Sequence, residues 1–333
     1  MVTQSILASG IGSMPGEDFA ESLRVVIDSL PDLPHLPELP ARGVTAGMTG
    51  RTLAVVADLG FDLQPAGWRL TDASGIDHRR ARSLLAQDLD STEEVLQGYE
   101  GELKLQLAGP WTLAATVERP RGDLLVADHG ARREVAQALA EGVRVHLRDV
   151  ARRVPGARLV VQVDEPALPA VLAGSLPTAS GFSRHRAVHP PEASAALAEI
   201  FTSVRESGAA SVAHCCAGDI PIGLLRGAGA EGVSLDLAVL TAANYDELGA
   251  AVEDGATVLL GVVPGTDPPS TPSKKQVVDR VVRALDMLGF DPNDLPGRLV
   301  LTPGCGLAGA TPSYAREALA LVRASASALS TKS

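Results

Sequence analysis

Residues 158–169 read RLVVQVDEPALP, a run of aliphatic residues that ends in two adjacent carboxylates and is stopped by Pro166. A short apolar run closed by a turn signal describes a buried strand. The same pattern returns at KLQLA (104–108), SVAH (211–214), GVSLD (232–236), TVLLGV (257–262) and RLVLT (298–302). Segments of helical period lie between these runs. From Arg132 to Val150, the residues Val135, Leu139, Val143, Leu147 and Val150 fall three or four apart, one apolar stripe that a helix turns toward a sheet. Near the end, Thr311 supplies an N-cap and Pro312 a first-turn proline for a last helix. Strands alternating with helices build a parallel sheet from βα units. SILASGIGS at the start and the segment around Trp68 supply two further strands, with EDFAESLRVVIDSL as a helix between them. Eight units predict an α/β fold, a (β/α)8 TIM barrel in which residues 1–333 form a single domain with no separate N-terminal barrel. An open doubly wound sheet is the competing reading.

Composition narrows the function classes. With 45% apolar and 21% charged residues the chain has the profile of an ordinary globular protein. A net charge of −11 and the lack of any dense Lys/Arg run argue against a nucleic-acid partner. The N-terminus lacks the charged and apolar regions of a secretory signal, and the longest apolar runs, such as VLLGVV (258–263), are far short of a membrane span. A cytoplasmic protein without a membrane partner is expected. Its three cysteines are then thiols rather than a disulfide framework.

All three cysteines follow predicted strands, two in AHCCAGDI (213–220) and one in TPGCGL (302–307). Side chains alternate along a strand, so His214 and Cys216 share one face while Cys215 takes the other. Cys305 arrives from a distant strand, and Asp236 ends the strand between. An imidazole, two thiolates and a carboxylate suit Zn2+. Glu231 is the reserve oxygen ligand. Each residue alone reads more simply as a core thiol or a satisfied histidine, and it is the set that points to metal. Asp164 and Glu165 form a carboxylate pair for a substrate ammonium or for proton transfer, against the plainer reading of a solvated strand end. GIGSMPG (10–16) offers backbone N–H groups and the Ser13 hydroxyl to a small anion. Two proline-dense stretches, PDLPHLPELP (31–40) and PGTDPPSTPS (264–273), read as stiff surface loops, the second at the barrel face where active sites are built.

IGSMP (11–15), LGF and GW around Gly60 and Trp68, AGPWT (108–112), QVDEPAL (162–168), HCC (214–216) and CGL (305–307) together resemble the C-terminal catalytic barrel of the cobalamin-independent methionine synthases. The resemblance follows order and spacing across nearly the whole chain. It implies a TIM barrel that transfers a methyl group to the thiol of homocysteine held on zinc. It also implies His214, Cys216 and Cys305 as zinc ligands, with Asp236 where the family usually has glutamate. Ser13, with Ile11 and Gly12, resembles the anchor for the homocysteine carboxylate, and Asp164 the ammonium partner. A free thiol with a pKa of about 8.5 is mostly protonated at neutral pH, and metal coordination makes it a thiolate.

The chain departs from the family on the donor side. The family places a histidine in the loop after its seventh strand to protonate the departing nitrogen of methyltetrahydrofolate, whereas PGTDPPSTP has none and offers only Asp267. Thr116 stands where the family has a tryptophan, although Trp111 lies inside the motif. A homocysteine-contacting glutamate expected before LGF is missing from GVTAGMTGR (43–51). The expected activity is therefore a zinc-dependent homocysteine S-methyltransferase whose donor is something other than a polyglutamated folate, such as a methylated corrinoid protein. The alternatives are the folate-dependent reaction with Asp267 or water replacing the histidine, a zinc-free lyase barrel of the uroporphyrinogen decarboxylase type, and a non-catalytic barrel that binds zinc or a thiol.

Overall fold

The computed structural model describes residues 5–330. Nine strands lie along these residues, β1 (Leu7–Ala8), β2 (Gly60–Gln64), β3 (Gly67–Thr71), β4 (Gly101–Ala108), β5 (Ala157–Asp164), β6 (Ala210–Cys215), β7 (Gly232–Asp236), β8 (Thr257–Val263) and β9 (Leu299–Pro303). Seven of them form one sheet in the order β1-β9-β8-β7-β6-β5-β4, every pair parallel. The result is a curled parallel sheet consistent with a TIM-like barrel, and the six expected strands from residue 104 onward are β4 to β9.

Helices cover the outer face: α1 (Phe19–Ser29), α2 (Met48–Val55), α3 (Ile76–Val95), α4 (Pro110–Thr116), α5 (His129–Arg153), α6 (Leu168–Leu172), α7 (Pro190–Glu206), α8 (Ile222–Gly227), α9 (Ala242–Glu253), α10 (Lys274–Leu288) and α11 (Pro312–Ser330). The stripe from Val135 to Val150 is buried along α5, whose N-cap Asp128 accepts from Ala131 N at 2.9 Å. Thr311 Oγ1 accepts from Tyr314 N at 3.3 Å, the cap expected for α11. No helix among the described residues is long and apolar enough to cross a membrane.

Two expectations fail in the first hundred residues. The segment around Trp68 does not join the parallel sheet; β2 and β3 form a separate antiparallel hairpin. The proline-rich stretch is not a surface loop either, since residues 33–39 are buried throughout. Leu36 N donates to Lys104 O at 2.9 Å and Lys104 N to Pro34 O at 2.8 Å, which joins this segment to β4. On its other side Glu38 N donates to Gly12 O at 3.1 Å and Met14 N to Glu38 O at 2.8 Å. Proline normally disqualifies a central strand because it cannot donate. Here Pro34 contributes only its carbonyl, and the N–H groups used belong to Leu36 and Glu38.

The inner face of the sheet changes polarity along the strands. Leu7, Leu33, Val212, Leu259 and Val300 pack together with Val160 as a small apolar cluster apart from the main core. Two residues further along the same strands stand Ser9, Gln162, His214 and Thr302, all buried and polar. The period of two keeps these positions on one face, so the apolar floor gives way to a polar mouth toward the strand ends.

Candidate active site

Three expected ligands converge at that mouth. His214, Cys216 and Cys305 bring one ligand atom each to within 4.8 Å of one another. The two sulfurs are 3.4 Å apart. His214 Nδ1 pairs with Ser234 Oγ at 2.9 Å, which fixes the ring and leaves Nε2 for a metal. Hydrogen bonds from Cys216 and His214 hold the Cys305 thiol well below its usual range, and Cys216 is pushed up in return. Cys215 points into the core, fully buried, and desolvation raises it to about 12. An imidazole and two paired sulfurs, one already favoured as thiolate, make a donor set that fits zinc.

Asp236 ends β7 beside this cluster but outside it. Its Oδ1 accepts from Ala238 N at 2.9 Å, while a Cβ placed on Gly304 would lie 2.7 Å from Oδ2. The carboxylate therefore packs against the residue preceding Cys305. Glu231 is displaced to the other end of the strands: its Oε2 accepts from Ser211 N at 3.0 Å. Ser211 precedes His214 by three residues, about 10 Å along an extended chain. The reserve ligand is thus corrected out of the site.

The segment expected to anchor an anion, Ile11–Ser13, lies against the sulfur cluster. Leu307 N donates to Ser13 O at 2.8 Å, and a Cβ on Gly306 would come within 2.0 Å of Ser13 Oγ. The Ser13 hydroxyl therefore occupies the space beside the residue that follows Cys305. Ile11 O accepts from Lys104 Nζ at 2.8 Å and from Gln162 Nε2 at 2.9 Å.

Alternation separates the two carboxylates of VDEP. Asp164 faces the interior, where its Oδ1 accepts from Gln162 Nε2 at 2.7 Å and burial raises it to about 6. Glu165 turns outward and accepts from Trp111 N at 2.9 Å and from Thr112 N and Oγ1 at 2.7 Å each, tying the start of α4 to β5. Burial still pushes it up to about 7. Trp111 is a packing residue, its indole N–H donating to Ala193 O at 3.0 Å.

Glu38 is the residue that the sequence reading missed. It is 4% exposed, its Oε1 has no hydrogen-bond partner, and burial raises it to about 7, with Asp164 adding to the rise. Glu38 lies in the proline-rich segment, five residues before the stretch 43–51 in which a glutamate is expected. On the donor side, Asp267 is engaged by Thr311 N at 2.8 Å and Thr311 Oγ1 at 2.6 Å. Those bonds hold its carboxyl below the ordinary range, the opposite of what a general acid needs.

The profile of the family described as "Cobalamin-independent synthase, Catalytic domain" matches residues 102–328. The chain belongs to this family. The match takes in β5 to β9 with the histidine, both paired sulfurs and Asp164. Among solved structures, a B12-independent methionine synthase from Shewanella sp. W3-18-1 in complex with selenomethionine superposes with a TM-score of 0.61. It shares 11% sequence identity with this synthase-family chain, over 98% of each chain, so the likeness is one of fold. A GH20 β-N-acetylhexosaminidase from Streptomyces coelicolor A3(2) follows at a TM-score of 0.47 and 14% identity, covering 97% of this chain and 64% of that one. A search of curated proteins finds no match.

Proposed function

We propose that the chain methylates the sulfur of homocysteine to give methionine, on a (β/α)8 barrel whose eighth stave is the segment 34–38. The observation that carries this reading is the meeting of His214, Cys216 and Cys305 within 4.8 Å, directly beside Ser13. His214, Cys216 and Cys305 would hold Zn2+, with the free Oδ2 of Asp236 as the oxygen ligand. Zinc in such a site supplies a substrate sulfur that is a thiolate at neutral pH.

The remaining residues bind and aim. The Ile11–Ser13 turn takes the α-carboxylate, and Asp164 with Glu38 takes the ammonium. These two carboxylates are buried beside Lys104, which burial lowers to about 7, so the acidic groups outnumber the basic one where an amino acid's ammonium would sit. Holding both ends of the substrate fixes its sulfur relative to the methyl carbon, the positioning share of catalysis. The sulfur lone pair forms the S–CH3 bond, and the bond from methyl to the donor breaks with its electron pair leaving on the donor.

The family description, cobalamin-independent, supports methyltetrahydrofolate as donor and counts against the methylated corrinoid protein. The departing nitrogen then takes its proton from water, since Asp267 is committed to Thr311. That same commitment favours a second reading, a corrinoid donor, whose leaving group needs no proton. Zinc-loaded protein would be given homocysteine with either methyltetrahydrofolate or methylcobalamin, and methionine measured by mass spectrometry. Methionine from the folate is expected; methionine from methylcobalamin alone would shift the reading to the second donor. No methionine from either would leave a barrel that binds zinc or a thiol without turnover.

A further inference from the structure

Lys104 lies wholly inside the sheet, with no exposed surface. Its Nζ donates to Ile11 O and to Gln162 Oε1, each at 2.8 Å, and neither partner is charged. Gln162 closes the ring by donating to Ile11 O at 2.9 Å and continues to Asp164 at 2.7 Å. A buried ammonium costs several kcal/mol in desolvation, and a hydrocarbon of the same length would fill this space without that penalty. Burial lowers Lys104 to about 7 against the pull of Asp164 and Glu38, so these carboxylates account for its charge but not for the two hydrogen bonds that its Nζ directs to neutral groups.

The carbonyl it holds does. Ile11 C=O belongs to the peptide that also carries the Gly12 N–H, and in a trans peptide the two point in opposite directions. Two donors pulling Ile11 O inward fix the plane of that peptide and aim the Gly12 N–H the other way. Gln162 also reaches Asp164, two residues along its own strand. One ring of hydrogen bonds therefore sets the turn that receives an α-carboxylate at a fixed distance from the group that receives an ammonium.

We propose that Lys104 is a positioning residue: with Gln162 it orients the Ile11–Ser13 turn and so determines selectivity for thiols that carry an α-carboxylate. This rests on the reading of the site as a homocysteine site. It separates amino-acid thiols from simple aminothiols through a side chain that contacts neither the sulfur nor the donor.

The test is calorimetric binding of homocysteine and of 3-mercaptopropylamine, which keeps the thiol and the amine but lacks the carboxylate, to zinc-loaded wild type and Lys104→Met. Homocysteine is expected to weaken about ten- to a hundredfold in the variant, as when a charge-assisted hydrogen bond is pulled from its best geometry. Loss of the Lys104 charge from beside Asp164 and Glu38 does not weaken an ammonium, so binding of 3-mercaptopropylamine is expected to hold or tighten and the selectivity collapses. Retained selectivity in Lys104→Met would overturn the proposal and leave the homocysteine reading intact. Equal weakening of both thiols would also overturn it, as general damage to the site. Should circular dichroism find Lys104→Met unfolded, Lys104→Gln, which is shorter and uncharged and leaves the bond from Gln162 to Asp164 in place, must shift selectivity the same way. Wild-type protein that binds neither thiol would overturn the homocysteine reading itself.

Discussion

Gly306→Ala tests whether the Ser13 hydroxyl holds the substrate carboxylate. The added Cβ would stand 2.0 Å from Ser13 Oγ, but 3.2 Å from Ser13 Cβ and 3.6 Å from its backbone nitrogen. The hydroxyl must therefore move by about 1.4 Å to reach ordinary van der Waals separation, and Ser13 Cβ must give by a few tenths of an ångström. A change of one χ1 rotamer carries a serine oxygen about 2.3 Å, so the main clash is relieved by turning the hydroxyl away, with only a small adjustment at Ser13 Cβ. Gly306 has no positive φ, so alanine brings no backbone strain and the melting temperature should move little. The loss is one hydrogen bond to a charged group, about 1.5–3 kcal/mol, which is roughly a ten- to 150-fold rise in KM for homocysteine. Steady-state kinetics at saturating donor would read KM and kcat, and elemental analysis the zinc content. An unchanged KM refutes the role of Ser13. Loss of zinc would refute the reasoning differently, by showing that the alanine acts through Cys305.

Zinc retention separates the two oxygen candidates: Asp236→Ala should weaken zinc by at least about tenfold in chelator competition, whereas Glu231→Ala should bind zinc as wild type does. The adjacent carboxylates should part in the same manner. Glu165→Ala strips three hydrogen bonds from the start of α4 and should cost about 3 kcal/mol in urea unfolding. Asp164→Ala should raise KM for homocysteine instead, with the smaller stability change; the reverse assignment would refute the split. Acid stability should carry the mark of His146, which burial and the charge of Arg51 lower to about 4. Between that value and the unfolded value of about 6.5 the unfolded chain binds a proton that the folded chain refuses, so stability is complete above about pH 6.5 and falls by up to about 3 kcal/mol toward pH 4. His146→Gln should flatten that slope in denaturant titrations run across the window, and an unaltered slope would show that other groups carry it.

The strands that bring His214, Cys216 and Cys305 together are legible because each is a run of apolar residues with its chemistry at the end. Period-two alternation in AHCC separates Cys216 from Cys215 from sequence alone, and GLAGA after Cys305 cannot be mistaken for a core strand. The same alternation predicts that Asp164 and Glu165 part, but which one faces inward depends on where the first residue of β5 enters the sheet, and that is set by pairing with β4. Segment 33–39 is illegible for a definite reason. Its prolines remove the donors by which a strand is recognised, while the few N–H groups it does use, from Leu36 and Glu38, alternate sides around Pro37. Glu38 is lost with it, since a carboxylate in a surface loop has no claim to chemistry.

That segment also explains why the proposed acceptor side of the site is built more firmly than the proposed donor side. Ser13, Glu38, Lys104, Gln162 and Asp164 sit on neighbouring backbone held by main-chain hydrogen bonds, so each side chain inherits the rigidity of the sheet wall. Leu36→Pro would remove the bond from Leu36 N to Lys104 O and should cost about 3 kcal/mol or more, with homocysteine binding abolished alongside. The donor side, by contrast, faces the proline-rich loop after β8, whose one acid is already engaged in capping α11. On the proposed reading, a site arranged this way fixes the amino acid and its sulfur through the sheet, and leaves the identity of the methyl donor to loops that can change without disturbing it.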